Sequence, residues 1–177
     1  ADGNPLPINK YYRQPYVDTL GGGLLQDWKY YPLDDYKHNL IHNATDDLLG
    51  NLDIHYHPIP ELTFLVQYQY EKQQTTSKTL HDVEGYYARD LINRFSQIDR
   101  ATGKIKYISP MGGILDQYFS KMDAQNLRGQ IDYHQTFKDH DIAILVGSEI
   151  RNIESTNFSD RIYGYNDNVL TYGKIDY

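Results

Sequence analysis

Two histidines in the first half of the chain, His55 and His57, have the spacing of a possible metal pair. Residues two apart in an extended strand lie on the same face, so both imidazoles would point the same way. A zinc site needs at least three protein ligands, and the spacing supplies no third one. The sequence therefore predicts no metal site and no cofactor, and favours two polar side chains on a wet surface.

Paired carboxylates occur at Asp34-Asp35 and Asp46-Asp47, and such pairs can perform acid–base chemistry on glycosides. Adjacent residues of an extended chain point apart, however, so solvated loop charge explains these pairs better. Residues 166–168, Asn-Asp-Asn, lack the downstream glutamate that a calcium loop needs. No nucleophile elbow, phosphate loop or dinucleotide motif occurs, so we predict that the protein is not an enzyme.

Aromatic residues and one arginine in the irregular stretches are the candidate substrate-binding groups. Aromatic rings can stack on sugar rings or hold peptide side chains, and a guanidinium can bind a carboxylate. The same side chains could instead pack the loops internally or contact a partner protein. These candidates are Trp28, Tyr30, Tyr31, Tyr86, Tyr87 and Arg89.

The composition narrows the class of protein. The chain has 177 residues, a net charge of -7, a mean hydropathy of -0.68, 18 tyrosines and no cysteine. The negative charge argues against a nucleic-acid partner, and the lack of cysteine excludes disulfides and thiolate chemistry. No apolar run has the length of a spanning helix, and the polar start of the chain does not resemble a signal peptide. We therefore expect a mature product, an excised piece or a soluble domain.

Two stretches alternate between apolar and polar residues with a period of two, which indicates strands. The first predicts strands near 48–57 and 62–70, joined by the turn Pro58–Glu61. The second predicts strands near 127–137 and 141–151, joined by the turn Lys138–His140. One face is expected to point outward and the other inward. The outward set is Ile131, Tyr133, Ile142, Ile144 and Val146, and the inward set is Asp132, His134, Glu149 and Arg151, with charge pairs expected among Arg128, Asp132, Glu149 and Arg151.

Long irregular stretches at 1–47, 71–126 and 152–170 separate these hairpins. Short turns at one end of the strands and long loops at the other are typical of outer-membrane barrels. Strands of about ten residues, tilted near 45°, also match the apolar band of such a barrel. We therefore predict an all-β fold class, in which residues 1–177 form a segment of a large antiparallel transmembrane β-barrel with long extracellular loops.

The chain resembles the barrel region of TonB-dependent outer-membrane transporters of the SusC/RagA type. The resemblance is carried by the order of NLDIHYHPIPELTFLVQYQYE, the segment Tyr86–Arg89, PMGGIL, LRGQIDYHQTF, HDIAILVGSEIR and the segment Tyr163–Asn166. It spans most of 48–166. Members of this family are much longer, and none of their plug motifs occurs in this chain.

The resemblance implies active import of oligosaccharides or peptides across the outer membrane of a Gram-negative cell. It also implies a SusD/RagB-like surface lipoprotein as partner, coupling to TonB through the missing plug, and contact with outer-membrane lipid. Five residues disturb the faces expected of such strands: Gly129 and Gln135 on the apolar face, and Leu65, Ala143 and Leu145 on the polar face. The alternative is a self-standing secreted β-sandwich that binds glycans like a lectin.

Overall fold

The computed structural model describes residues 4–176, and four long strands make up most of it. These strands are β1 (Asn39–Ile59), β2 (Leu62–His81), β5 (Gly113–Phe137) and β6 (His140–Tyr165). The short strands β3 (Ser96–Asp99) and β4 (Lys104–Tyr107) form a separate antiparallel hairpin, and the α-helices are α1 (Gln14–Thr19) and α2 (Tyr86–Arg94). Short 3₁₀ turns occupy Leu20–Gly23 and Asp35–His38. The predicted all-β fold class is confirmed.

The four long strands form one sheet in the order β1-β2-β5-β6. Two-residue turns join β1 to β2 at Pro60-Glu61 and β5 to β6 at Lys138-Asp139. Lys138 has a positive φ of 50°, which is the backbone conformation that tight hairpin turns commonly require. The sheet is open, with β1 and β6 as its edges, and residues 4–176 do not form a closed barrel.

The long strands extend well beyond their predicted bounds, so the three predicted loops are wrong over much of their length. Residues 39–47, 71–81, 113–126 and 152–165 are strand rather than loop. These extensions carry polar residues on both faces, as in the run Lys72–Lys78, so they show no apolar alternation. Ladder hydrogen bonds pair the extensions of β2 and β5 with strands on both sides, and those of β1 and β6 with a strand on one side. The sequence pattern contains no sign of that pairing.

Contacts divide the chain into two compact units. Unit 1 contains residues 1–43, 77–118 and 159–177, and unit 2 contains residues 44–76 and 119–158. The buried apolar core of unit 1 joins α2 to the start of β5. Its members are Tyr86, Ala88, Leu91, Ile92, Ile114 and Leu115. Within residues 4–176, no helix is long and apolar enough to cross a membrane.

Unit 2 has an exposed apolar face and a polar face. Four contacts assign the faces: the Tyr56 and Phe64 rings lie 6.3 Å apart, and the Thr45 and Thr75 hydroxyls 3.2 Å apart. The Tyr70 hydroxyl donates to Asp123 at 3.2 Å, and the Asn126 amide donates to Glu149 at 2.9 Å. With strand alternation, these contacts place fourteen side chains on the apolar face: Leu48, Leu52, Ile54, Tyr56, Phe64, Val66, Tyr68, Leu127, Ile131, Tyr133, Ile142, Ile144, Val146 and Ile150.

Candidate functional site

Helix α2 positions the N-terminal segment of unit 1. Asn93 is buried, and its side chain accepts the Gln26 backbone N–H at 2.8 Å and donates to the Gln26 carbonyl at 2.9 Å. One turn earlier, Arg89 donates from Nη1 to the Asp27 carbonyl at 2.8 Å and from Nη2 to the Lys29 carbonyl at 3.0 Å. Two side chains on the helix therefore satisfy the backbone of a segment about 60 residues away.

Most of the candidate aromatic residues lie in this same packing region. Tyr86 is 3% exposed, and its ring lies 5.3 Å from that of Tyr30. Burial raises the pKa of the Tyr86 hydroxyl to about 12. Trp28 packs edge-on against Tyr12 at 4.8 Å, and the Lys10 ammonium lies 4.1 Å from the centre of the Tyr30 ring.

The other candidates also have internal partners. Tyr87 packs against the His81 ring at 4.2 Å. The Tyr31 carbonyl accepts the backbone N–H groups of Asp34 and Asp35 at 3.0 and 2.9 Å. Arg89 was predicted to bind a carboxylate of the substrate, whereas its fork holds two backbone carbonyls. The six candidates therefore lie in one unit, and the side-chain contacts found for five of them, all except Tyr31, are internal packing contacts.

A charged pair on the strands of unit 1 was missed by sequence reasoning. Arg161 donates from Nε and Nη2 to the two oxygens of Asp116 at 2.5 and 2.7 Å. These hydrogen bonds lower the pKa of the Asp116 carboxyl and raise the pKa of Arg161. The pair joins β5 to β6 across 45 positions, and only the register of the hairpin could have revealed it.

His81 completes this network without adding a charge. Its Nε2 lies 3.6 Å from Asp116, and its Nδ1 lies 2.6 Å from the Asn39 side-chain oxygen. Burial lowers the pKa of the imidazole, so His81 is neutral near pH 7 despite the nearby carboxylate. Arg161 is therefore the cation that balances Asp116.

An open cleft of about 530 Å³ lies beside this pair, and we call it the Tyr118 cleft. The cleft is lined by alternate residues of the adjacent strands β2, β5 and β6, and by residues next to them in the chain. Its lining is Ser77, Thr79, Asp116, Gln117, Tyr118, Ser159, Asp160 and Arg161. All of them belong to unit 1. Hydroxyl, carboxylate, amide and guanidinium groups thus surround a single aromatic ring.

The polar face of unit 2 forms a smaller cleft of about 190 Å³. The contacts found on this face differ from the predicted charge pairs, because amide side chains are the partners of the charged groups. Arg128 donates to Gln130 at 2.7 Å, Gln130 donates to Asp132 at 2.8 Å, and Asn126 donates to Glu149. Amide side chains at intervening positions thus partner Arg128, Asp132 and Glu149.

Two groups of residues bring imidazole or carboxylate groups close together, as a metal site would require. The His55 and His57 rings are nearly parallel, with centroids 6.4 Å apart, on the predicted common face. His38, Asp82 and Glu84 instead bring three ligand atoms within 4.8 Å of one another at the far end of the β1–β2 hairpin. His38 and Asp82 also contact each other directly at 3.3 Å. The hairpin register could have shown that these residues meet.

A comparison with protein-family models finds none that matches the chain, and a comparison with curated proteins finds no match either. The structure by itself defines an open antiparallel β-sheet of four long strands.

Proposed function

We propose that this chain is part of the wall of a TonB-dependent outer-membrane importer of oligosaccharides or peptides, working with a SusD/RagB-like lipoprotein. One observation carries the proposal: twelve of the fourteen side chains on the apolar face of unit 2 are exposed, on a sheet whose other face is mostly polar. Leu52 is 57% exposed, Ile144 52% and Val146 61%. An apolar patch of this extent on a protein in water marks a surface that meets another apolar phase.

The strand geometry supports lipid as that phase. A barrel in the outer membrane alternates lipid-facing and lumen-facing residues along every strand, as the strands of unit 2 alternate apolar and polar residues. The misfit Gln135 has a partner within the same face, because the Tyr133 hydroxyl donates to its side-chain oxygen. That contact lowers the free-energy cost of placing the Gln135 amide on a face that meets lipid.

The open edges support a larger closed structure. β1 and β6 are the edges of the sheet, and a sheet in lipid must close so that every backbone group finds a partner. In this proposal further strands pair with both edges, and the two short turns lie on the periplasmic side. The plug, which couples such importers to TonB, lies outside this chain.

Fractionation of cells that produce the polypeptide containing this chain tests the proposal. We expect it in the outer-membrane fraction, where it should migrate as a compact, heat-modifiable band in gel electrophoresis. Deletion of the gene should reduce growth on a polymeric nutrient taken up by the cell. Secretion as a soluble protein that folds cooperatively without detergent would instead support the lectin-like sandwich.

A further inference from the structure

The Tyr118 cleft offers an exposed aromatic ring between small hydroxyl side chains. Tyr118 is 43% exposed, and Ser77 and Ser159 on the two neighbouring strands line the cleft with it. The flat face of a pyranose ring carries C–H groups, and an aromatic ring offers a surface of matching size and polarity. The flanking hydroxyls can donate and accept hydrogen bonds at the edges of such a ligand.

The charges beside Tyr118 favour a neutral ligand. Arg161 is engaged by Asp116 through two hydrogen bonds, so its charge is already balanced. A carboxylate ligand would have to displace Asp116 from a charge-assisted, two-point contact. A sugar hydroxyl can instead be added to this pair, because carboxylate oxygens accept more than one hydrogen bond.

The strand positions disfavour a peptide that binds by extending the sheet. That mode of binding needs the unpaired backbone of an edge strand. Tyr118 lies on β5, and Ser77 and Thr79 lie on β2, and each of these strands has a neighbour on both sides. Ser159 and Arg161 lie on the edge strand β6, whose open edge is taken by a further strand in the proposed barrel. A ligand over the cleft must therefore be recognised by side chains.

We propose that the Tyr118 cleft is a binding subsite for a neutral oligosaccharide, with one sugar ring stacked on Tyr118 and its hydroxyls bonded to Ser77, Ser159 and Asp116. This assignment rests on the proposed import function and narrows its substrate to saccharides. It also moves the substrate contact away from Tyr86 and Arg89, whose contacts serve internal packing.

Titration calorimetry on the detergent-solubilised parent polypeptide tests this subsite. The probes are neutral oligosaccharide mixtures from partial hydrolysis of starch, cellulose, xylan and mannan, with a tryptic peptide mixture as the competing class. We expect one saccharide mixture to bind and Tyr118→Ala to weaken that binding about tenfold, which corresponds to about 1.4 kcal/mol. Tyr118→Phe, which keeps the ring, and Tyr172→Ala, an exposed tyrosine outside the cleft, should bind like the parent.

Heat-modifiability of each variant shows separately whether the barrel is intact. Binding of the peptide mixture alone, or of no saccharide mixture, by an intact barrel overturns the saccharide subsite and leaves the importer proposal standing. Equal saccharide affinity of Tyr118→Ala and the parent also overturns the subsite. Absence of the parent from the outer membrane defeats the importer proposal itself, whatever the calorimetry shows.

Discussion

Gln26 and Asn93 are 67 residues apart in the chain, and they exchange two hydrogen bonds in the manner of paired strands. The Gln26 backbone supplies one donor and one acceptor, and the buried Asn93 carboxamide supplies their complements. A primary amide has the same donor and acceptor groups as a peptide unit, so asparagine suits this position. This contact fixes the N-terminal segment on α2.

Replacing Asn93 by Ala should loosen the segment around Gln26. The substitution leaves one backbone donor and one backbone acceptor of the partly buried Gln26 without partners. An unpaired group that is fully buried costs about 1–3 kcal/mol, so each of these two groups costs less than that. We expect faster hydrogen exchange in residues 24–30. Gln26→Ala is the matched control, because it keeps the backbone groups that Asn93 binds. Similar exchange in the two variants would contradict the structural role of Asn93.

Replacing Tyr86 by Ala should destabilise unit 1 rather than remove a substrate contact. Removal of a large buried aromatic side chain typically costs about 3–5 kcal/mol. Hydrogen exchange of the α2 amides should therefore be faster in Tyr86→Ala. Tyr86→Phe keeps the buried ring, so it should change the exchange rates little. Tyr36 is 68% exposed, so Tyr36→Ala is the control for loss of a tyrosine in the same unit. Unchanged α2 protection in Tyr86→Ala would show that this ring is not part of the core.

The sequence predicts those strand segments in which apolar and polar residues alternate. Leu52, Ile54 and Tyr56 alternate with polar residues, and the strand that contains them was expected. The run Lys72–Lys78 is polar on both faces, so its place in β2 depends on its neighbours and could not be inferred. The contact of Asn93 with Gln26 has no periodic signal, because a single amide meets a single backbone unit across a long separation. The pairing of Asp116 with Arg161 could not be inferred either, because it also joins two single residues across a long separation.

Acidification should weaken unit 1 in two steps. His81 has a pKa lowered by burial from 6.5, so the unfolded chain binds its proton more readily than the folded chain. The stability that depends on neutral His81 is present above pH 6.5 and is lost as the pH falls below that value. The pKa of Asp116 is lowered from 3.8 by its hydrogen bond to Arg161, so its contribution is lost only below pH 3.8.

His81→Asn should remove the first of these steps. An asparagine amide can replace Nδ1 as the donor to Asn39 and has no proton to gain. Hydrogen exchange of residues 77–94, corrected for the intrinsic effect of pH, should accelerate between pH 7 and pH 5 in the parent and change less in the variant. His57→Asn, at an exposed histidine of unit 2, should behave like the parent. Equal acceleration in His81→Asn would assign the pH dependence to other groups.

Adjacent residues of β6 provide a direct test of the two faces of unit 2. Ile144 lies on the apolar face and Leu145 on the polar face, and both are more than half exposed, at 52% and 63%. If the apolar face meets lipid, Ile144→Arg should place a charge in the membrane at a cost of about 2–4 kcal/mol, while Leu145→Arg places it in a wet lumen. We expect Ile144→Arg to lower the yield of heat-modifiable barrel, and Leu145→Arg to leave most of that yield.

The two substitutions replace isomeric side chains by the same arginine, so the comparison isolates the direction in which the side chain points. Equal yields from both, or a larger loss from Leu145→Arg, would show that the apolar face of β6 does not meet lipid.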